Sequence, residues 1–181
     1  MRELPEGNHF FAQDEVEFDE ILKIMKDSKS MLEIGSRYGE SLRRFARAMT
    51  PRSRVVSVDL GKDIDAQSYH SGPWLYKVCG DLADEYDIHL FLGDSQDQKI
   101  VNQVEKLGPF DFVFIDGDHS YKGVNLDWIN YGPLGKMVAF HDCAPFGPAA
   151  ETFKSIYKKK QLIWNAPSGM GIGVIYNDDR S

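Results

Sequence analysis

Short apolar runs alternate along this chain with stretches whose apolar residues recur at helical spacing. Residues 18–25 place Phe18, Ile21, Leu22 and Met25 at such spacing and predict a helix. Residues 31–35 read as a first strand. A helix follows over 41–49, with Leu42, Phe45, Ala46 and Met49 on one face, and Thr50-Pro51 stops it. Val55 to Leu60 reads as the second strand. The region after it, 61–87, is harder to divide: Gly72-Pro73 reads as a break and 74–86 as a helix. Residues 88–92 give a third strand, 96–107 a helix, 110–115 a fourth strand, 121–131 a helix, and 137–140 a fifth strand. Residues 147–157 read as a last helix. Two final runs, 161–165 and 171–176, flank Ala166-Pro167-Ser168-Gly169 and predict an antiparallel pair.

Repeated strand–helix units imply a mostly parallel sheet with helices on both faces. The expected architecture is α/β: one doubly wound, Rossmann-like domain over 1–181, with a short helical segment in 1–30 and a C-terminal antiparallel hairpin strand. No repeat, low-complexity segment or linker divides it.

The strand ends carry the chemistry. In open α/β sheets ligands sit outside the carboxyl ends of the strands. Here the first strand runs into Glu33-Ile34-Gly35-Ser36-Arg37-Tyr38-Gly39-Glu40-Ser41, and the second ends at Asp59. The third leads into Asp94-Ser95-Gln96. The fourth, Phe110-Asp111-Phe112-Val113-Phe114-Ile115, breaks into Asp116-Gly117-Asp118-His119. Each alone is more often a cap or turn; four in succession on one sheet edge are not. The glycine spacing is Gly-x-x-x-Gly and lacks the third glycine of a pyrophosphate turn, so a smaller anion such as a carboxylate suits it better. A carboxylate at Asp59 can accept both hydroxyls of a ribose.

Composition narrows the function. The 181 residues are 42% hydrophobic, enough for one core. A formal net charge of −7 argues against a nucleic-acid or anionic-membrane surface. The basic clusters Arg43, Arg44, Arg47 and Lys158, Lys159, Lys160 read as solvated faces. Cys79 and Cys143 have no metal-type spacing. The N-terminal residues do not resemble a signal peptide, and no apolar run approaches the ~20 residues that span a bilayer. A reducing, cytoplasmic setting is expected.

These motifs resemble a class I S-adenosylmethionine-dependent methyltransferase, in the branch of catechol-type and sugar or macrolide O-methyltransferases, over about residues 31–176. The resemblance implies a cofactor site made by Glu33, Gly35, Ser36, Gly39, Ser41, Asp59, Asp94, Ser95, Gln96 and Asp116, with Ser41 bonded to the methionine carboxylate. It casts Asp116 as a metal ligand and His119 as general base. Phe140-His141-Asp142 falls where the remaining metal-binding pair lies, so Asp116, His141 and Asp142 are the expected ligands. Relatives usually place Asp-Asp or Asp-Asn there. With His141 present, the ion is either Mg2+ or a divalent metal that prefers imidazole, and His141 is either a ligand, a second base or the residue that orients Asp142. Asp118 either adds an oxygen ligand or caps the next helix. The implied reaction is O-methylation of a small hydroxylated or sugar-like acceptor. The alternatives are a nicotinamide-dependent oxidoreductase and a cofactor-binding protein without turnover. The lid is expected in 61–87 or 143–149, or from a second subunit of a homodimer. Trp74, Trp128 and Trp164 read as core or rim aromatics rather than substrate platforms, with Trp74 the best exception. His9, His70 and His89 show no partner in sequence.

Overall fold

The computed structural model describes residues 13–62 and 71–177. His9, His70 and part of the segment after the second strand lie outside them. The elements are α1 (Glu15–Met25), β1 (Ser30–Ile34), α2 (Glu40–Ala48), β2 (Arg54–Asp59), α3 (Gly72–Leu82), β3 (Asp87–Leu92) and α4 (Gln98–Glu105). Then come β4 (Phe110–Ile115), α5 (Tyr121–Tyr131), a 3-10 turn (Gly132–Leu134), β5 (Gly135–Phe140), α6 (Ala150–Ser155), β6 (Lys159–Ile163) and β7 (Ile172–Tyr176). All seven strands form one sheet in the order β3-β2-β1-β4-β5-β7-β6. β1 to β5 are parallel; β7 runs antiparallel to both β5 and β6.

Strand alternation assigns each side chain to a face. Phe112 and Phe114 point into a cluster with Phe18, Ile21 and Met25 of α1, Phe45 of α2 and Val78 of α3. Val113 and Ile115 point the other way, against Val101 and Val104 of α4, Val124 and Tyr131 of α5, and Phe153 of α6. The Phe45 ring lies 4.7 Å from that of Phe18, 5.4 Å from Phe112 and 5.0 Å from Phe114, tying two helices to β4. Covered on both faces, the central strands are the near-continuous apolar runs that the sequence displayed.

Two boundaries differ for physical reasons. Gly72-Pro73 opens α3 instead of breaking the chain before it, because proline in the first turn needs no donor there. β6 begins at Lys159, two residues before the expected Gln161. Lys160 is no free surface charge: its Nζ donates to the carbonyls of Phe153 (3.0 Å), Lys154 (2.9 Å) and Ile156 (3.1 Å), which closes the C-terminus of α6.

The sheet order reverses between β1 and β4, the place where a doubly wound fold leaves a crevice. Gly35 and Asp116 leave these two strands side by side: Asp116 N donates to Ile34 O at 2.8 Å, and Gly35 N to Val58 O at 2.8 Å. Gly35 adopts φ +87°, and a Cβ there would lie 2.2 Å from the Asp116 carbonyl oxygen. Only glycine permits this approach.

Candidate active site

Two cavities open over this crevice. The larger, about 570 Å³, is lined by Gly35, Asp59, Asp94, Ser95, Gln96 and Asp116, among others. The smaller, about 220 Å³, is lined by Ser36, Tyr38, Ser41, His141, Asp142 and Met170, with Gln13 at one side. Gly35, Arg37, Asp116 and His119 line both.

Turn geometry places the polar groups of the larger cavity. Asp59 Oδ2 accepts from Arg37 N at 2.7 Å; its Oδ1 accepts from Gly61 N at 2.7 Å and from the Ser71 hydroxyl at 2.9 Å. Asp94 Oδ1 accepts from Gln96 N at 2.9 Å and closes the turn after β3. Three expected cofactor residues behave differently. Gly39 lines neither cavity; it takes φ +80° at the start of α2, packed against Leu75 and Val78. Glu33 is fully buried and also lines neither cavity, and its carboxyl accepts the Ser36 hydroxyl at 2.6 Å. The Ser36 oxygen lies 2.7 Å from that of Ser57, so Ser36 faces the smaller cavity while supporting the turn from behind. Burial pushes the Glu33 carboxyl up to about 8, against the hydroxyls of Ser36 and Ser41 and with the charges of Asp116 and Asp59 adding to the rise.

At the junction of the cavities, β4 and β5 deliver two acids and two histidines. The strand register pairs Ile115 with Phe140, so Asp116 and His141 leave the sheet together. Asp142 then turns with φ +59°, a conformation that aspartate tolerates. His119 Nδ1 lies 2.5 Å from Asp142 Oδ2, and its Nε2 lies 3.9 Å from Asp116 Oδ1. His141 is buried, with Nδ1 3.1 Å from Asp116 Oδ1 and 3.0 Å from Asp142 Oδ1. These are ion-pair contacts without good hydrogen-bond angles, and Nε2 has no partner. Burial alone would lower the His141 pKa; the two carboxylates reverse this and push it up to about 10. Burial acts to raise Asp142, but the hydrogen bond from His119 and the positive charge of His141 beside it hold it below its ordinary value. The hydrogen bond to Asp142 raises His119.

Asp116, His119 and Asp142 each offer a ligand atom within 4.8 Å of the others. Two carboxylate oxygens and an imidazole nitrogen are a donor set that fits a divalent metal. His119 is the imidazole gathered with the two acids, whereas His141, an expected ligand, is ion-paired to the same two carboxylates through Asp116 Oδ1 and Asp142 Oδ1. Asp118 caps: its Oδ1 accepts from Ser120 N at 2.8 Å, and Ser120 in turn caps α5. Cys143 is buried, and burial pushes its thiol up to about 12, which leaves it inert. Trp74 lines neither cavity. His89 pairs with Asp87 at the start of β3, at the opposite end of the strand from the site.

Sequence reasoning missed one rim of the smaller cavity. Gln13 Nε2 donates to Asp116 Oδ2 at 2.8 Å. The next turn is clamped to the β6–β7 connection: Asn165 Nδ2 donates to Asp14 at 3.2 Å, Asn165 N to Glu17 Oε1 at 2.8 Å, and Gly171 N to Glu17 Oε2 at 3.0 Å. That connection reaches the site itself, through Cys143 N to Gly171 O at 2.9 Å and Ala144 N to Met170 O at 2.6 Å. Partners 148 to 154 residues apart leave no local signal.

A parallel sheet with a reversed C-terminal strand, a glycine turn after β1 and acids at successive strand ends defines the Rossmann-like methyltransferase fold. Residues 32–143 match the family model described as a methyltransferase domain, and the chain belongs to that family. It is 29% identical over 142 residues to a putative caffeoyl-CoA O-methyltransferase of Arabidopsis thaliana, covering 76% of this chain. The match takes in 56% of that protein, so the chain spans just over half the length of its curated relative. Among solved structures it is similar to the O-methyltransferase from Bacillus cereus in complex with S-adenosylhomocysteine (TM-score 0.64, 16% identity, 91% of this chain and 83% of that one). It is also similar to a TDP-rhamnose 3'-O-methyltransferase of calicheamicin biosynthesis (TM-score 0.65, 16% identity, 88% and 77%). A third likeness is to a mycinamycin-pathway methyltransferase in complex with magnesium and S-adenosylhomocysteine (TM-score 0.54, 14% identity, 88% and 47%). Among the described residues no helix is long and apolar enough to cross a membrane.

Proposed function

We propose that this chain is an S-adenosylmethionine-dependent O-methyltransferase acting on a small hydroxylated or sugar-like acceptor. The observation that carries the reading is the placement of the His119–Asp142 pair and Asp116 at the junction of the two cavities. When bound, the cofactor supplies an electrophilic methyl group. Asp59 offers a carboxylate for its ribose, and the Asp94–Gln96 turn lines its adenine side. Gly35, Ser36 and Ser41 border the smaller cavity, where the methionine end belongs.

Asp142 holds the His119 ring by its Nδ1. With the hydrogen on Nδ1, an assignment the bond to Asp142 favours, Nε2 is the free base. Nε2 then takes the acceptor's hydroxyl proton during attack. His141, charged between Asp116 and Asp142, limits the negative potential that would otherwise repel an acceptor oxygen losing its proton. A divalent ion held by Asp116 and Asp142 would lower the acceptor's pKa by binding its oxygen and leave His119 Nε2 as the base; if the His119 imidazole joins them as a ligand, it would hold the ion instead of taking the proton. The relatives named for caffeoyl-CoA and TDP-rhamnose support a hydroxylated acceptor.

The test is methyl transfer from labelled S-adenosylmethionine to a panel of catechols, sugars and nucleotide sugars, with and without chelator. Transfer that falls in His119→Ala and Asp116→Ala supports the reading. Unchanged transfer in both variants overturns the assigned roles, and dependence on added Mg2+ or Mn2+ decides the metal.

A further inference from the structure

Beneath the larger cavity lies an acid that this chemistry leaves unused. Asp127, in the middle of α5, has no exposed surface. Its Oδ1 accepts the Ser95 hydroxyl at 2.7 Å, and its Oδ2 is buried without a hydrogen-bond partner. Tyr131 follows four residues later on the same helix face, and its hydroxyl donates to the Ser95 carbonyl at 2.5 Å. Both polar ends of Ser95 are therefore tied to one helix. A Cβ on Gly117 would stand 3.4 Å from Asp127 Oδ2, so the same acid also lies under the exit of β4.

α5 thereby links two parts of the site. Its N-cap, Ser120, directly follows His119. About 10 Å further along its axis, seven residues at the helical rise, Asp127 grips the turn that lines the larger cavity. Nothing in folding alone calls for an acid here. A buried carboxylate with one hydrogen bond costs stability, and burial pushes Asp127 up to about 6. An apolar residue of similar volume would pack among Val124, Tyr131 and their neighbours at lower cost.

We propose that Asp127 is a positioning residue for the cofactor: through Ser95 it fixes the Asp94–Gln96 turn against the larger cavity, in register with Asp116 and His119. The inference rests on the cofactor reading given above. It requires stability and affinity to move in opposite directions, which a merely structural role does not.

The experiment is calorimetric titration of S-adenosylhomocysteine into the full chain and its variants, with melting followed in parallel. Asp127→Leu is expected to melt no lower than wild type yet bind about tenfold more weakly, the upper range for one lost hydrogen bond. Ser95→Ala is expected to show a similar loss, and the double variant no further loss, because both remove one contact. Asp127→Asn, which keeps an acceptor for Ser95, should bind like wild type. Unchanged affinity in Asp127→Leu overturns the proposal, as does a loss that tracks a fall in melting temperature while Ser95→Ala binds normally. If wild type itself fails to bind, the cofactor reading falls, and this proposal with it; binding by wild type that the variants leave intact overturns this proposal alone.

Discussion

Glu33→Gln should flatten the pH dependence of folding stability. Glu33 has no exposed surface, and burial raises its pKa from 4.5 to about 8. An acid with a raised native pKa binds more protons folded than unfolded. Its contribution is intact below the unfolded pKa and is lost as pH rises toward the folded one. The window is therefore pH 4.5 to about 8. Within it the slope is about 1.4 kcal/mol per pH unit, which accumulates to roughly 3 kcal/mol by pH 7 and 4 to 5 kcal/mol above pH 8. Glutamine retains a carbonyl to accept the Ser36 hydroxyl and removes the titration. Other groups that titrate in this range, Asp127 among them, act in both proteins and cancel in the difference. Urea unfolding followed by circular dichroism at pH 5, 6, 7 and 8 measures the two curves. They should diverge steadily with pH, the variant gaining relative to wild type. Parallel curves would refute a neutral, buried Glu33 and the desolvation argument behind it.

Three further outcomes follow from the geometry. Gly35→Ala must accept φ +87° and a Cβ 2.2 Å from the Asp116 carbonyl oxygen, so its melting temperature should fall by several degrees, for a cost of about 1–3 kcal/mol or more. Phe45→Ala removes the ring shared by α1, α2 and β4 and should cost about 3–5 kcal/mol in chemical denaturation. Asp142→Asn removes the negative charge from the hydrogen-bonded partner that raises His119, so the acidic limb of the methyl-transfer pH profile should move to lower pH. An unmoved limb would show that His119 is not the group titrating in that profile.

The parallel core and its strand ends were legible because their cause is local. Phe110 to Ile115 is buried on both faces, so it reads as an unbroken apolar run, and its abrupt change to Asp116 marks where the sheet meets solvent. The same logic puts Asp59 and the Asp94–Gln96 turn at strand ends, where they line the larger cavity. It failed where a residue's role depends on distant partners. Glu33 looked like a cofactor contact, yet lies behind the turn with Ser36 and Ser57. For His141 the sequence left a ligand, a second base and an orienter of Asp142 open; only the strand register, which is not a local signal, sets its ring between the two acids. Gln13 and the Asp14–Glu17 clamp reach residues over a hundred positions away. Asp127 does carry a readable sign: an acid among Val124, Trp128 and Tyr131, where the helical period calls for an apolar side chain.

The central claim is that the crevice between β1 and β4 is an S-adenosylmethionine site anchored by Asp59. Titration calorimetry of the wild-type chain and Asp59→Ala with S-adenosylhomocysteine, and separately with NAD, tests it directly. The account predicts that S-adenosylhomocysteine binds at one site and NAD does not. It also predicts that Asp59→Ala weakens the binding by about tenfold or more, the scale of a lost hydrogen bond to a charged acceptor. Binding of NAD in preference to S-adenosylhomocysteine, or equal affinity in Asp59→Ala, would contradict it.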